Sequence, residues 1–307
     1  MRRLIVTLLS IVWAVSAMAQ PAPPLELVVL GSGGPGATGR AGSSYAVLVD
    51  GVPRVLVDAG PGSFARLGEA KLSLARLDVV LLTHLHVDHV GELPGLVKAR
   101  AVSSRGPIRF DVFGPEGSTA KAGDASFPST RRLVELLFGE QGAFGYLRDF
   151  SAPITFKTTD LPGAPQDDAQ ARTIYTDDGL VITAIAGHHR DAPAVIYRIA
   201  YRDKSITFSG DIDAQGLPDL KRIAEGTGLL VFNSVVLDPP GSPAGLYALH
   251  TPPGRIGELA AESKTGQLLL SHLSPAVEGA RDAVATSIAK RYAGRVTFAS
   301  DGLRVQP

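Results

Sequence analysis

Residues Leu81–Gly95, LLTHLHVDHVGELPG, contain an unusual concentration of ionisable side chains. Three histidines and an aspartate fall within six consecutive residues, directly after a run of aliphatic side chains: His84, His86, Asp88 and His89. The whole chain of 307 residues has only seven histidines. Imidazole and carboxylate groups are costly to bury unless something pairs with them. The packing of a buried strand therefore does not explain this cluster.

Metal binding does explain it. His84 and His86 are two residues apart, so they point the same way on an extended segment. Asp88 and His89 follow where the chain is predicted to turn into a helix, which lets them face a nearby point. Such a set of ligands suits two divalent ions better than one. The chain has no cysteine, so the ligands must be nitrogen and oxygen atoms. These suit zinc best, with manganese or iron as alternatives.

Potential ligands also follow three other predicted strands. His188 and His189 come after LVITAIAG, Asp211 comes after SITFSG, and His272 comes after QLLLS. Four strands thus end in polar residues of the kind that bind metals. We expect these strand ends to gather at one edge of the sheets.

The order of the predicted elements indicates an α/β protein. The first strands form hairpins and the later ones alternate with helices, which predicts two sheets between helices in a four-layer αββα sandwich. We see no linker within residues 25–307, which are therefore predicted to form one domain. Residues 116–171 are predicted to be an irregular insertion that includes a helix within residues 129–150. Its Arg131, Arg132 and the aromatic residues at 138–150 could form a cap over a substrate, although aromatic residues at such spacings are more often core.

The N-terminus has the layout of a secretory signal. Arg2 and Arg3 precede an apolar run that ends on small residues, which predicts a signal peptide over 1–19 and a proline-rich lead-in over 20–24. The alternative is an uncleaved anchor, but the run is shorter than the ~20 residues that span a bilayer. We therefore expect a periplasmic or secreted protein without a membrane span in its mature form. The formal net charge of zero gives no support for a stable nucleic-acid partner.

With these motifs the chain resembles the metallo-β-lactamase fold family. HLHVDH (84–89) matches the family's His-x-His-x-Asp-His motif. The chain is most similar to the ribonuclease Z and arylsulfatase-like branch, through segments that include LGSGGPGATGRAGSSYAVLVDG, VLVDAGPG, FSGDID and the terminal ASDG. The resemblance runs from about Leu27 to Gly302, and residues 116–171 have no match in it.

The resemblance implies a role for each candidate residue. One ion would be bound by His84, His86 and His189, a second by Asp88, His89 and His272, and Asp211 would bridge both. His189 is preferred to His188 because the branch places its ligand four residues before a proline, here Pro193. His250 is the candidate proton donor, and a loop histidine that caps the next helix is the alternative. Asp88 and His250 are the predicted catalytic residues.

Other residues are expected to support the site. Asp58 is expected to orient a metal-bearing loop, and Asp301 is expected to be structural. The glycine-rich loop Gly31–Gly36 could offer backbone N–H groups to an anionic substrate. We favour a purely geometric role for most of its glycines.

These features predict an exported, binuclear metal-dependent hydrolase. Two close divalent ions lower the pKa of a shared water toward about 7, which makes a metal-bridging hydroxide the expected nucleophile. The resemblance favours a phosphodiesterase, acting on a small-molecule phosphodiester or on a sulfate ester. An exported enzyme does not meet cytoplasmic tRNA. The alternatives are a lactone or carboxylic ester hydrolase and a non-catalytic periplasmic metal-binding protein. The sequence leaves a homo-oligomer open.

Overall fold

The computed structural model describes residues 22–118, 126–166, 169–190 and 192–307. The predicted signal peptide, 1–19, lies outside these residues, as does the beginning of the lead-in. Among the described helices none is long and apolar enough to cross a membrane.

The N-terminal half of the chain, together with the last strand, forms a seven-stranded sheet. Its strands pair in the order β14-β1-β2-β3-β4-β5-β6. They comprise β1 (Leu25–Gly31), β2 (Ser44–Val49), β3 (Val52–Ala59), β4 (Val79–Leu81), β5 (Ile108–Pro115), β6 (Ile154–Leu161) and β14 (Arg304–Val305). The first three strands pair antiparallel, as the predicted hairpins require, and β3 to β6 are parallel.

The C-terminal half forms a second seven-stranded sheet. The strand order is β13-β12-β11-β10-β9-β8-β7. The strands are β7 (Arg172–Asp177), β8 (Leu180–His189), β9 (Ala192–Tyr201), β10 (Lys204–Phe208), β11 (Leu229–Asn233), β12 (Gln267–Ser271) and β13 (Arg295–Phe298). Because β8 and β10 are each antiparallel to β9, they run in the same direction, and β11 and β12 are parallel to β10. The ends of β8, β10, β11 and β12 therefore reach the same edge of this sheet.

Helices cover the outer face of each sheet. The first sheet carries α1 (Ser63–Glu69), α2 (Val87–Val90), α3 (Leu93–Ser103) and α4 (Thr130–Phe138). The second carries α5 (Leu217–Ala224), α6 (Pro253–Glu262), α7 (Pro275–Glu278) and α8 (Arg281–Ala289). The predicted αββα sandwich is confirmed.

Alternation along the strands builds the layers. On β1, Leu25, Leu27 and Val29 face the second sheet, while Val28 and Leu30 face the helices of the first layer. Both sets are fully buried, which explains why the strand has an almost continuous hydrophobic sequence. A third cluster fills the space between the second sheet and α5 to α8.

Residues 116–171 contain the predicted helix, α4, together with a strand that was not predicted, so the segment is more regular than expected. This edge strand, β6, pairs with β5 over its whole length. Only Ile154 and Leu161, at the two ends of β6, are buried. The side chains between them are partly or fully exposed, because β6 lies at the edge of the sheet.

Strand β7 was also not predicted. Asp178 and Gly179 both have positive φ angles and form the two-residue turn that joins β7 to β8, so the Asp-Gly pair was the signal for this hairpin.

Candidate metal centre

The loop after β4 and the end of β8 bring three imidazoles together. His84 and His86 leave the buried strand on one side of the chain, and the distance between His84 Nε2 and His86 Nδ1 is 3.1 Å. His189 is the last residue of β8. One ligand nitrogen from each of the three residues lies within 4.8 Å of the others. This set could hold one metal ion.

A second set lies beside the first. Asp88 and His89 sit on the short helix α2, and His272 follows β12 with a positive φ of 54°. The distance from Asp88 Oδ2 to His272 Nε2 is 3.1 Å, and the distance to His89 Nε2 is 3.7 Å. These atoms also lie within 4.8 Å of one another. This set could hold a second ion.

Asp211, which follows β10, lies between the two sets. Its Oδ2 atom is 4.0 Å from His84 Nε2, 3.8 Å from His189 Nε2 and 3.5 Å from His272 Nε2. Its Oδ1 atom accepts a hydrogen bond of 2.7 Å from the Asn233 side chain. One carboxylate oxygen is thus held by the protein, and the other faces both groups of imidazoles.

Hydrogen bonds on the far side of the rings orient two imidazoles. His89 Nδ1 lies 2.8 Å from Asp58 Oδ2, and Asp58 also accepts from the backbone and the hydroxyl of Thr83. His189 Nδ1 donates to the backbone oxygen of Leu249 over 2.9 Å. Because Nδ1 carries the proton, Nε2 of His189 presents its lone pair to the cluster. Asp58 thus has the orienting contacts that the sequence predicted.

An unpaired atom of the cluster fits a metal site. His89 Nε2, which faces Asp88 and Asp211, is buried and has no hydrogen-bond partner among the described residues. Unsatisfied polar atoms of this kind are rare in a folded interior. Five of the seven predicted ligands are at most 3% exposed, namely His84, His89, His189, Asp211 and His272. The residues present therefore fit two cations bound by nitrogen and oxygen.

The lowered pKa values of His84, His250 and Asp211 favour the charge states that bind cations, whereas the raised pKa of His89 does not. Burial lowers the pKa of His84 well below its ordinary value and lowers the pKa of His250 to about 4. Burial alone would raise the pKa of Asp211, but the neighbouring imidazoles, His272 first, hold it well below its usual range. Burial would likewise lower the pKa of His89, yet Asp58 raises it to about 9. A cation at His89 Nε2 would take the place of that proton.

The two remaining histidines have different surroundings. His188 Nδ1 lies 2.7 Å from Asp213 Oδ2, and His188 is not part of any of the clusters described above. This placement agrees with the preference for His189 as the ligand. His250 is buried, and its Nδ1 atom lies 3.9 Å from Asp211 Oδ2. Since His250 also lines the cleft, it is close enough to the cluster for a role in proton transfer.

The cluster lies at the bottom of a cleft of about 340 Å³. One wall is the glycine-rich loop, where a Cβ atom on Gly34 would lie 3.1 Å from the His272 ring. Asp301 holds this loop by accepting hydrogen bonds from Ser32 and Ala41, which agrees with the structural role that was predicted for it.

Of the two interpretations of residues 131–150, the structure does not support the cap. Phe138, the last residue of α4, is packed in the core, and none of the side chains at 131–150 lines the cleft. Phe144, Tyr146 and Phe150 are exposed. The segment instead contributes Phe127, whose ring centroid lies 5.6 Å from that of His86. An amphipathic helix explains Phe138, since α4 buries one face on β5 and β6.

Sequence reasoning missed Asn233, although a signal for it existed. Asn233 ends β11 after four aliphatic or aromatic residues, which is the same layout that identified the predicted ligands. The carbonyl of Leu249 had no such signal, because every residue has a backbone oxygen.

Replacing Asn233 by alanine is expected to weaken metal binding by roughly 10- to 100-fold, the range usual for residues that orient a ligand. Without its amide donor, Asp211 Oδ1 would be unpaired in the interior and the carboxylate would be free to rotate. Titration of the metal-free protein with zinc measures the effect. Thr207→Val removes another buried hydrogen bond, that to Thr227, away from the cluster and is the control. Equal zinc affinities in the two variants would contradict a role for Asn233 at the metal site.

Comparisons with known proteins indicate the superfamily of the chain. The model of the metallo-beta-lactamase superfamily matches residues 37–231. A ribonuclease Z of Mycobacterium avium (strain 104) is 30% identical over 296 residues, which cover 92% of this chain and 98% of that protein.

Solved structures show the same fold. The metallo-beta-lactamase fold protein YhfI of Bacillus subtilis has a TM-score of 0.68 and 21% identity, and the alignment covers 93% of this chain and all of YhfI (100%). The short form of human tRNase Z has a TM-score of 0.66 and 20% identity, with 92% and 98% covered.

The chain therefore belongs to the metallo-beta-lactamase superfamily. It is a metal-dependent hydrolase, which confirms the predicted family and enzyme class.

Proposed function

We propose that this protein is an exported phosphodiesterase that binds two divalent ions, most suitably zinc, and acts on a small-molecule ester. The observation that carries the proposal is the convergence of seven side chains from four strand ends: His84, His86, Asp88, His89, His189, Asp211 and His272. In this assignment His84, His86 and His189 hold one ion, Asp88, His89 and His272 hold the other, and Asp211 contacts both. Export rests on the sequence of residues 1–19.

Two divalent ions held by these residues would supply Lewis-acid activation of a water molecule and of the phosphoryl oxygens. The protein fixes the ligands through Asp58, Asn233 and the Leu249 carbonyl, so little reorganisation is needed when substrate binds. His250 lies on the cleft side of Asp211 and is neutral because burial lowers its pKa to about 4. It would accept at Nδ1 the proton that the attacking water loses, and this proton would then pass to the leaving oxygen.

The charges of the cleft and of the chain favour a small ester over a polyanionic polymer as the substrate. The ionisable side chains that line the cleft in the described part of the chain are His86, Asp88, His189, Asp211 and His250, with no lysine or arginine. A nucleic acid adds one negative charge per nucleotide, and binding it requires basic side chains along its path. The formal net charge of the chain is zero, which also gives no general attraction for RNA.

RNA is nevertheless the second candidate substrate. The curated relative with 30% identity over almost the whole chain is a ribonuclease Z. That relationship favours a phosphodiester over a sulfate ester or a lactone. Because an RNA and a small phosphodiester contain the same scissile group, the present geometry of the metal ligands accommodates either.

A substrate panel tests the proposal. Protein recovered from the exported fraction, with Gln20 as its expected N-terminus, is loaded with zinc and assayed on bis(p-nitrophenyl) phosphate, p-nitrophenyl sulfate, an acyl lactone and a structured RNA. We expect chelator-sensitive hydrolysis of the phosphodiester to exceed that of the sulfate and the lactone. RNA cleavage at a higher kcat/KM than the small diester would overturn the small-substrate assignment. Tight zinc binding without hydrolysis of any substrate would support the non-catalytic alternative.

A further inference from the structure

One wall of the cleft is apolar. It is built by the connection between β11 and α6, residues 234–252, which includes a short 3₁₀ helix over Ala244–Ala248. Val235, Leu246 and Leu249 from this connection line the cleft together with Leu273. Leu246 and Leu249 are only half-buried, so part of their apolar surface is available to a ligand.

This wall is fixed in place by hydrogen bonds. The hydroxyl of Tyr247 donates to the backbone oxygen of Leu237 over 3.1 Å and accepts from the Ser242 amide over 2.9 Å. The hydroxyl of Thr251 donates to the backbone oxygen of Ile212 over 2.9 Å. A preformed surface loses little conformational entropy when a ligand binds. The wall therefore has the rigidity that a binding subsite requires.

The same connection is joined directly to the metal cluster. The backbone oxygen of Leu249 accepts the hydrogen bond from His189, and His250 follows as a cleft residue. One ligand could therefore place its phosphate at the cluster and contact Leu246 or Leu249 with a group attached to that phosphate. The apolar wall and the predicted ligands belong to one cleft.

The charge of the cleft limits what can bind there. Among the described residues that line the cleft, only the imidazoles could provide a positive charge, apart from the ions that the cluster would hold. A phosphodiester carries one negative charge, which the ions would compensate. A second charge on the substrate, directed at the leucines, would lose its hydration without gaining a partner.

We propose that Leu246 and Leu249 form a subsite for an uncharged apolar ester group of a phosphodiester substrate. The inference rests on the proposed function and adds the substrate class. The enzyme would prefer singly charged diesters with an apolar group over dianionic monoesters and over polyanions.

Kinetics with paired substrates test this subsite. For Leu246→Gln we expect kcat/KM for bis(p-nitrophenyl) phosphate to fall about fivefold relative to methyl p-nitrophenyl phosphate, because the second aromatic ring loses part of its apolar contact. The change should appear mainly in KM. Leu136→Gln is the matched control, since Leu136 lies on α4, is 47% exposed and does not line the cleft. An unchanged ratio of the two diesters in Leu246→Gln would overturn the subsite.

A cation at the same position should reverse the preference. For Leu246→Lys we expect kcat/KM for p-nitrophenyl phosphate, a dianionic monoester, to rise about fivefold relative to bis(p-nitrophenyl) phosphate. A fall in that ratio would contradict the charge argument.

A binding measurement separates the subsite from the catalytic proposal. Calorimetric titration of the zinc-loaded wild-type protein and Leu246→Gln with diphenyl phosphate reports binding even where no hydrolysis occurs. If neither diester is hydrolysed but wild type binds diphenyl phosphate about fivefold more tightly than Leu246→Gln, the phosphodiesterase proposal fails and the subsite is supported. If both proteins bind it equally, the subsite is wrong whatever the catalytic result.

Discussion

Replacing Asp211 by asparagine is expected to lower kcat/KM for bis(p-nitrophenyl) phosphate by about a thousandfold, since the charge stabilisation that bound ions supply is worth several kcal/mol. The Oδ2 atom of Asp211 lies between 3.5 and 4.0 Å from nitrogens of five histidines. An amide has the same shape but no negative charge, and it cannot serve as a carboxylate ligand to two cations. Fewer metal ions should therefore bind to the variant.

Metal content distinguishes this explanation from general damage. Elemental analysis of the zinc-loaded protein is expected to give two ions per wild-type chain and fewer than two for Asp211→Asn. Asp219→Asn is the matched control, because Asp219 is also a buried aspartate but pairs with Arg222 on α5. If Asp211→Asn keeps both ions and its activity, Asp211 does not bridge a binuclear site.

Much of the candidate site could be predicted because metal ligands have a strong sequence signal. Buried aliphatic residues followed by His or Asp are unfavourable without a compensating charge, so His84, Asp211 and His272 are conspicuous at the ends of β4, β10 and β12. The layered fold follows from the same alternation of strands and helices.

Other features could not be found in this way. The apolar wall includes Leu246 and Leu249. In a sequence, a leucine that lines a cleft cannot be distinguished from a leucine that packs in the core. The orientation of His189 depends on a backbone carbonyl. The position of α4 is set by packing of its apolar face, which includes Phe138, on β5 and β6. Residue types alone do not distinguish a helix of the outer layer from a cap. In each case the information lies in tertiary contacts and not in residue type.

Removal of metal is expected to inactivate the enzyme and to lower its melting temperature by about 10 °C. A ligand present at about a thousand times its Kd stabilises the folded state by about 4 kcal/mol, and each kcal/mol shifts the melting temperature of a domain of this size by roughly 2–4 °C. The physical reason is that Asp211 and the rings of His84, His89 and His272 are buried. Without cations, these groups keep their desolvation cost and lose the ligand bonds that offset it.

The experiment compares the zinc-loaded protein before and after dialysis against a chelator, by calorimetry and by hydrolysis of bis(p-nitrophenyl) phosphate. Zinc should restore both the melting temperature and the activity, whereas magnesium should restore neither, because imidazole-rich sites bind it poorly. Asp211→Asn should show a smaller shift on chelation than wild type does, since fewer ions leave it. A protein that keeps its melting temperature and its activity after complete removal of metal would show that the imidazole cluster is a structural feature of the interior. If zinc restored the melting temperature but not the activity, the cations would stabilise the fold, and catalysis would have to be assigned to other groups.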